Sequence, residues 1–196
     1  MPFRIILGGV ISYLVGSIPF SFLIAKIFKG VDIRLVGEGN VGGRNVWHMV
    51  GKKYGVVAGV LDFLKGLVAY FVGLLLGLLP WWIWLCGFAA VLGHCFPVFL
   101  KGRGGKGMAT TLGFLIGVEP LLILISGSLW LITHLAFRKF HLGAAVGLGS
   151  IPILWWAVWK TPLTQVAILT SLLVILAIKR VIDEPYMKKI RQESGW

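Results

Sequence analysis

Six apolar stretches, at residues 3–28, 56–79, 81–100, 108–137, 142–159 and 163–178, occupy most of this 196-residue chain. A helix rises about 1.5 Å per residue and needs about 20 residues to cross a hydrocarbon core of about 30 Å. Most of these stretches are therefore membrane spans. The apolar set supplies 58% of residues and the charged set 13%, with a mean hydropathy of +0.91, whereas a soluble domain is about half apolar and about a quarter charged. A soluble globule is excluded, and disorder with it. Lys and Arg number 19 against 7 Asp and Glu, a formal charge of +12. A chain this apolar cannot present a broad solvated basic face, so the partner is a membrane surface or a small anion at one, and no nucleic acid is expected. Cys86 and Cys95 share one apolar stretch and read as buried thiols, not as a disulfide framework.

The first stretch is too long for a signal-peptide core, and no small-x-small cleavage site precedes the Lys26 to Lys29 boundary, so it reads as a retained helix. No internal repeat or low-complexity linker divides the chain, and residues 1–196 read as a single integral-membrane domain. The stretch 108–137 either crosses once or turns at Glu119-Pro120 and returns. A single crossing scatters the basic residues over both sides. A turn places every Lys and Arg except Arg4 and Lys160 on or near one side, as the positive-inside rule requires. Proline also pushes Glu119 out of the α region. The expectation is an all-α polytopic fold with seven transmembrane helices, the fourth short and tilted with its N-terminus recessed into the membrane. Its cytoplasmic side collects the segments 29–55, 101–107, 138–141 and the tail from 179, and most of their cations serve to orient the chain.

Two glycine-rich cytoplasmic loops stand out. The first runs Asp32-Ile33-Arg34-Leu35-Val36-Gly37-Glu38-Gly39-Asn40-Val41-Gly42-Gly43-Arg44-Asn45-Val46-Trp47-His48. Gly37, Gly39, Gly42 and Gly43 let backbone amides turn toward one point while Asn40, Arg44 and Asn45 add side-chain donors, a cradle that suits phosphate. A flexible connector explains the glycines equally well, but its composition favours Ser or Pro over Asn and Arg. The second loop, from Gly93-His94 through Lys101-Gly102-Arg103-Gly104-Gly105-Lys106-Gly107 to Thr111, opens directly into the short helix. There free N–H groups, the helix dipole, Arg103 and Lys106 are expected to converge on an anion. It is not a Walker loop, because Gly107 follows Lys106 and no strand precedes it.

His94 reads first as a packed, hydrogen-bonded histidine, with a general base as the alternative. No His-x4-Asp pair, metal-ligand cluster or Gly-x-Ser-x-Gly elbow occurs. Asp62 and Lys65, three apart on one helix face, neutralise each other as structural support.

These residues resemble the bacterial integral-membrane acyl-phosphate:glycerol-3-phosphate acyltransferases. The likeness runs through Gly16-Ser17-Ile18-Pro19-Phe20, Asp32-Ile33-Arg34, Gly39-Asn40-Val41-Gly42 with Asn45, and Gly51-Lys52-Lys53-Tyr54-Gly55. It continues through Leu61-Asp62-Phe63-Leu64-Lys65-Gly66 and the whole block from Gly93-His94 to Ala109-Thr110. The resemblance implies a seven-helix enzyme of the bacterial plasma membrane with a cytoplasmic active face. It transfers a fatty acyl group from acyl phosphate to the 1-hydroxyl of glycerol 3-phosphate, giving lysophosphatidic acid for phospholipid synthesis, beside membrane lipids. Lys106, Asn45 and His48 are the implied catalytic positions. The implied substrate contacts are Gly37, Glu38, Gly39, Asn40, Gly42, Gly43, Arg44, Arg103, Gly104, Gly105, His94, His141 and Arg180.

The chain departs from the family pattern at defined places. Glu38 replaces a small hydroxyl residue with a carboxylate that repels phosphate, and Arg44 offers a compensating cation. His48 stands where an arginine is expected, and the family's Ser-bearing segment aligns near His141-Leu142-Gly143-Ala144. The last helix reads Lys179-Arg180-Val181-Ile182-Asp183-Glu184-Pro185 in place of Arg-His, Asn and Gly-x-Glu. An acyl phosphate is already activated, so no cofactor or metal is called for and the protein need only desolvate, orient and neutralise charge. The acceptor hydroxyl then loses its proton to a substrate phosphate, or to His48 or Glu38. A non-catalytic paralogue that binds acidic lipid or phosphate, and an anion or lipid transporter, are the alternatives from other classes.

Overall fold

The computed structural model describes residues 1–195. They form helices joined by turns and loops, with no strand among them. The helices are α1 (Pro2–Ser17), α2 (Phe20–Lys29), α3 (Gly43–Met49), α4 (Lys52–Leu75), α5 (Pro80–Cys95), α6 (Met108–Val118), α7 (Pro120–Phe137), α8 (Phe140–Ala157) and α9 (Leu163–Glu193). Six helical segments are long and apolar enough to cross a membrane, α1 and α2 together forming the first of them. Two compact units result, one of residues 1–114 with 176 onward and the other of residues 115–175.

In the first unit, small residues set the helix spacing. A Cβ on Gly16 would strike the Ala90 carbonyl, and one on Gly93 would strike the Tyr13 carbonyl, so α1 and α5 meet at backbone distance. Gly66 of α4 lies equally close to the Thr110 carbonyl, and Gly113 to the Phe63 carbonyl, which brings the start of α6 onto α4. Where lipid removes the hydrophobic drive between helices, such close approach and the dispersion it permits supply the attraction. In the second unit, Gly143 and Gly147 of α8 receive Trp130 of α7, whose ring stacks on His134 at 5.6 Å.

Two elements differ from the sequence reading. The first apolar stretch is interrupted: α1 stops at Ser17 and α2 begins at Phe20, because Pro19 lacks an N–H and excludes Ile18 from the α region. The tail from residue 179 continues α9 to Glu193, through Pro185.

Replacing Gly93 with Leu is expected to destabilise the fold by about 1–3 kcal/mol or more through overpacking, lowering the unfolding midpoint in detergent. Gly59→Ala, whose added methyl meets nothing within 4 Å, is expected to leave that midpoint in place.

Candidate active site

The break between α1 and α2 frees carbonyls that cannot be left bare inside an apolar layer. Lys65 of α4 answers them: its Nζ donates to Gly16 O and Ile18 O, both at 3.0 Å. The same ammonium lies 2.9 Å from Asp62 Oδ1 and 3.0 Å from His94 Nδ1. Ser21 Oγ donates to Asp62 Oδ2 at 3.0 Å, and Thr110 Oγ1 to Asp62 O at 2.9 Å. All five side chains are buried. A cavity of about 10 Å³, room for one water, lies among Ser17, Val41, Asp62, Lys65, His94 and Gly104. His94 thus faces Lys65, as a packed histidine should. The wider role of the Asp62–Lys65 pair, which ties α1, α2, α5 and α6 to α4, needed the break at Pro19 to be seen.

Both loops build on this frame. In the second, Gly104 N–H donates to Cys95 O at 3.2 Å and Gly105 N–H to His94 O at 3.1 Å. The structure corrects the expectation that these amides point at an anion: the end of α5 leaves carbonyls without intrahelical partners, and the loop folds back to satisfy them. This return carries Lys106 inward to a side-chain exposure of 10%. Arg103 lies over the Tyr186 ring, 5.5 Å from its centroid.

In the first loop, Asp32 accepts from the Arg34 backbone N–H at 3.0 Å and from Arg34 Nη2 at 2.6 Å. The Arg34 guanidinium holds the Asp32 carboxyl below the usual carboxylate range. Tyr186 OH donates to Arg34 O at 3.0 Å. Tyr186 was not singled out in the sequence, where its only signal is an aromatic among tail charges. Asn45 is fully buried. Its Nδ2 donates to Ile33 O, Val36 O and Asn40 O at 2.9–3.1 Å, while its Oδ1 accepts from Glu38 N–H at 3.0 Å. Its amide, expected to serve substrate, instead ties the loop to itself. Gly37 and Gly39 stand at φ 59° and 65°, a left-handed geometry that glycine adopts without strain. Gly39 lies against Ile190 of α9, and Gly42 and Gly43 open α3, where Gly43 approaches the Gly55 carbonyl.

The charged side chains meet at Glu38, whose own side chain is only 6% exposed. Arg44 Nη1 stands 2.5 Å from Glu38 Oε1, and Lys106 Nζ 3.9 Å from Glu38 Oε2. Arg180 and Glu184 of α9 also act electrostatically on Lys106. Asn40 is buried on the same loop, and its Oδ1 has no hydrogen-bond partner among the described residues. His48 is exposed on α3, one turn beyond Arg44, and His141 begins α8 in the second unit. The first unit therefore gathers Glu38, Arg44, Lys106 and Arg180 at one place, with glycine backbone and Asn40 alongside.

A sequence profile described as Glycerol-3-phosphate acyltransferase matches residues 6–185. The chain is 41% identical to the glycerol-3-phosphate acyltransferase of Geotalea daltonii over 143 residues, 73% of either chain. It is 48% identical to that of Aquifex aeolicus over 123 residues, 62% of this chain and 64% of the relative. Among solved structures, PlsY, an integral membrane glycerol 3-phosphate acyltransferase, is similar in its glycerol 3-phosphate form with a TM-score of 0.84 and 35% identity. That likeness covers 97% of this chain and 92% of the other. The lysophosphatidic acid form of the same enzyme gives a TM-score of 0.82 at 34% identity.

Lys65→Met strands the buried Asp62 carboxylate and is expected to cost about 3–5 kcal/mol, read as a fall in the denaturant midpoint. Adding Asp62→Asn is expected to recover part of that loss. Asn45→Ala leaves buried backbone groups unpaired, at about 1–3 kcal/mol each, and is expected to lower stability together with any activity.

Proposed function

The chain belongs to the glycerol-3-phosphate acyltransferase family, and from that premise we propose how its own residues perform acyl transfer from acyl phosphate to glycerol 3-phosphate. It is an integral membrane acyltransferase of the bacterial plasma membrane, and membership of this family does not favour a non-catalytic binder or a transporter. The observation that carries the reading is the meeting of a half-exposed Arg44 and a recessed Lys106 at the buried Glu38 carboxylate, where the two glycine loops come together. Cations held in a recessed, partly desolvated place interact with a phosphate far more strongly than they do in water.

In the proposed mechanism, Arg44 and Lys106 bind substrate phosphate, with Arg180 and Arg103 at the margin. The backbone at Gly37, Gly39, Gly42 and Gly43 lets the ligand approach closely. Asn40 Oδ1, without a hydrogen-bond partner among the described residues, accepts from the 2-hydroxyl of glycerol 3-phosphate, which orients the 1-hydroxyl for attack and leaves its proton free to transfer. The hydroxyl oxygen forms a bond to the acyl carbonyl carbon, and the bond from that carbon to the phosphate oxygen breaks. The leaving phosphate carries off the electron pair, and the hydroxyl proton passes to a substrate phosphate oxygen. No protein nucleophile is needed, because the mixed anhydride is already activated. Orientation and charge neutralisation supply the rate enhancement. Asn45 and His94 act as positioning residues, through the first loop and the carbonyl that receives Gly105, and His48 lies outside the reacting group.

The membrane arrangement proposed with this mechanism has seven crossings in one acyltransferase domain. α6, with 11 residues, is about 16 Å long and serves as a short fourth crossing whose N-terminus is recessed from the cytoplasmic surface. Both glycine loops then face the cytoplasm, where soluble glycerol 3-phosphate is available.

Purified protein with palmitoyl phosphate and glycerol 3-phosphate is expected to release inorganic phosphate only when both are present. Lys106→Ala is expected to reduce that release by about two orders of magnitude or more while the protein stays folded; normal turnover in this variant would sink the assignment. Burial pushes Lys106 below the ordinary lysine value, Glu38 opposes that shift, and Arg180 and Arg44 add to it. The ammonium is charged below its pKa, so phosphate affinity is expected to be full at lower pH. KM for glycerol 3-phosphate should rise as pH climbs through the depressed value. Lys106→Arg is expected to move that rise to higher pH.

A further inference from the structure

A phosphate held by two cations offers one oxygen to each. Glu38 already makes this arrangement with a carboxylate, Oε1 toward Arg44 and Oε2 toward Lys106. The loop sets the carboxylate there. The Glu38 backbone is tied to Asn45 and flanked by left-handed Gly37 and Gly39, so the side chain projects inward and does not reach in from solvent. The protein has therefore placed an anion of its own among the cations that its substrates need, where the family pattern has a small hydroxyl.

We propose that Glu38 is a built-in competitor for the phosphate position, and that substrate phosphate binds by exchanging with its carboxylate on Arg44 and Lys106. The inference rests on the assignment of those two cations to phosphate. Exchange has a definite signature. Every anion must displace the same carboxylate, so each loses affinity by the same factor, whatever its own charge. Weakly held anions then fail to occupy the site, and inorganic phosphate, the leaving product, departs more readily than it would from two unpartnered cations. The charged groups facing it are Arg44 on α3 and Lys106 on the second loop, with Arg180 and Glu184 of α9 behind Lys106.

The test uses the purified full chain in detergent, with calorimetric titration by inorganic phosphate and by dimethyl phosphate, a monoanion. In Glu38→Gln both dissociation constants are expected to fall by a common factor, roughly three- to tenfold for a partly screened ion pair. KM for a phosphate-bearing substrate should fall with them. Glu38→Ser is expected to behave in the same way and guards against a folding defect peculiar to the first variant. Unchanged or weaker phosphate binding in a folded variant overturns the proposal. A larger gain for phosphate than for dimethyl phosphate also overturns it, since the carboxylate would then be a repelling neighbour that stays in place. A collapse of kcat with unchanged dissociation constants overturns it in favour of Glu38 as a base. In the wild-type chain, phosphate is expected to shift a carboxylate infrared band that Glu38→Gln lacks, and absence of that shift counts against exchange. A wild-type chain that binds phosphate without transferring acyl groups would defeat the functional assignment alone, since the binding measurements require no turnover.

Discussion

One ammonium group, Lys65 Nζ, sits where the structure is most exposed to failure. A helix broken inside an apolar layer leaves carbonyls with no water to satisfy them, and the break at Ile18-Pro19 is such a place. Lys65 donates to Gly16 O and Ile18 O while Asp62 balances its charge and His94 lies against it. α1, α2, α4 and α5 are thereby fixed to one another at a polar point, amid contacts that are otherwise small and apolar. The second loop depends on that point, since it folds back onto the end of α5 at His94 and Cys95.

The next level of organisation is a division of labour between two asparagines and a glutamate only a few residues apart. Asn45 has its amide taken up by loop backbone and so fixes shape. Asn40 retains a buried acceptor atom with no hydrogen-bond partner among the described residues. Glu38 brings its carboxylate to the cations. Two amides and a carboxylate thus take different roles, with left-handed Gly37 and Gly39 on either side of Glu38 setting the direction of its side chain.

Much of this was legible in the residues. Apolar length gave the spans, and the grouping of cations gave the side on which the loops lie. The pairing of glycine with Arg44, Arg103 and Lys106 marked the region here proposed to handle phosphate. What was not legible depends on closure. The sequence shows Asn45 as a donor near a glycine loop, but which carbonyls it meets follows from how the chain bends at Gly37 and Gly39. Glu38 and Arg44 were recognisable as paired departures from a pattern, yet their bridge reaches Lys106 only through the folding of a second loop some 60 residues away. Gly104 and Gly105 looked available to an anion because the unmet carbonyls at the end of α5 cannot be seen in a string of letters. Pro19 was the most informative residue passed over, since it breaks the helix whose carbonyls give Lys65 its place.

The bond from Tyr186 to the Arg34 carbonyl joins residues 152 positions apart, and Ile190 rests on Gly39 from a similar remove. A chain made on the ribosome therefore releases the segment 32–45 early and supplies its last supports only after the intervening helices have been synthesised. Closing contacts of such separation is intrinsically slow and follows local helix formation. A nascent chain carries the first glycine loop without its α9 supports throughout insertion, so the segment 32–45 acquires its final form only near the end of translation.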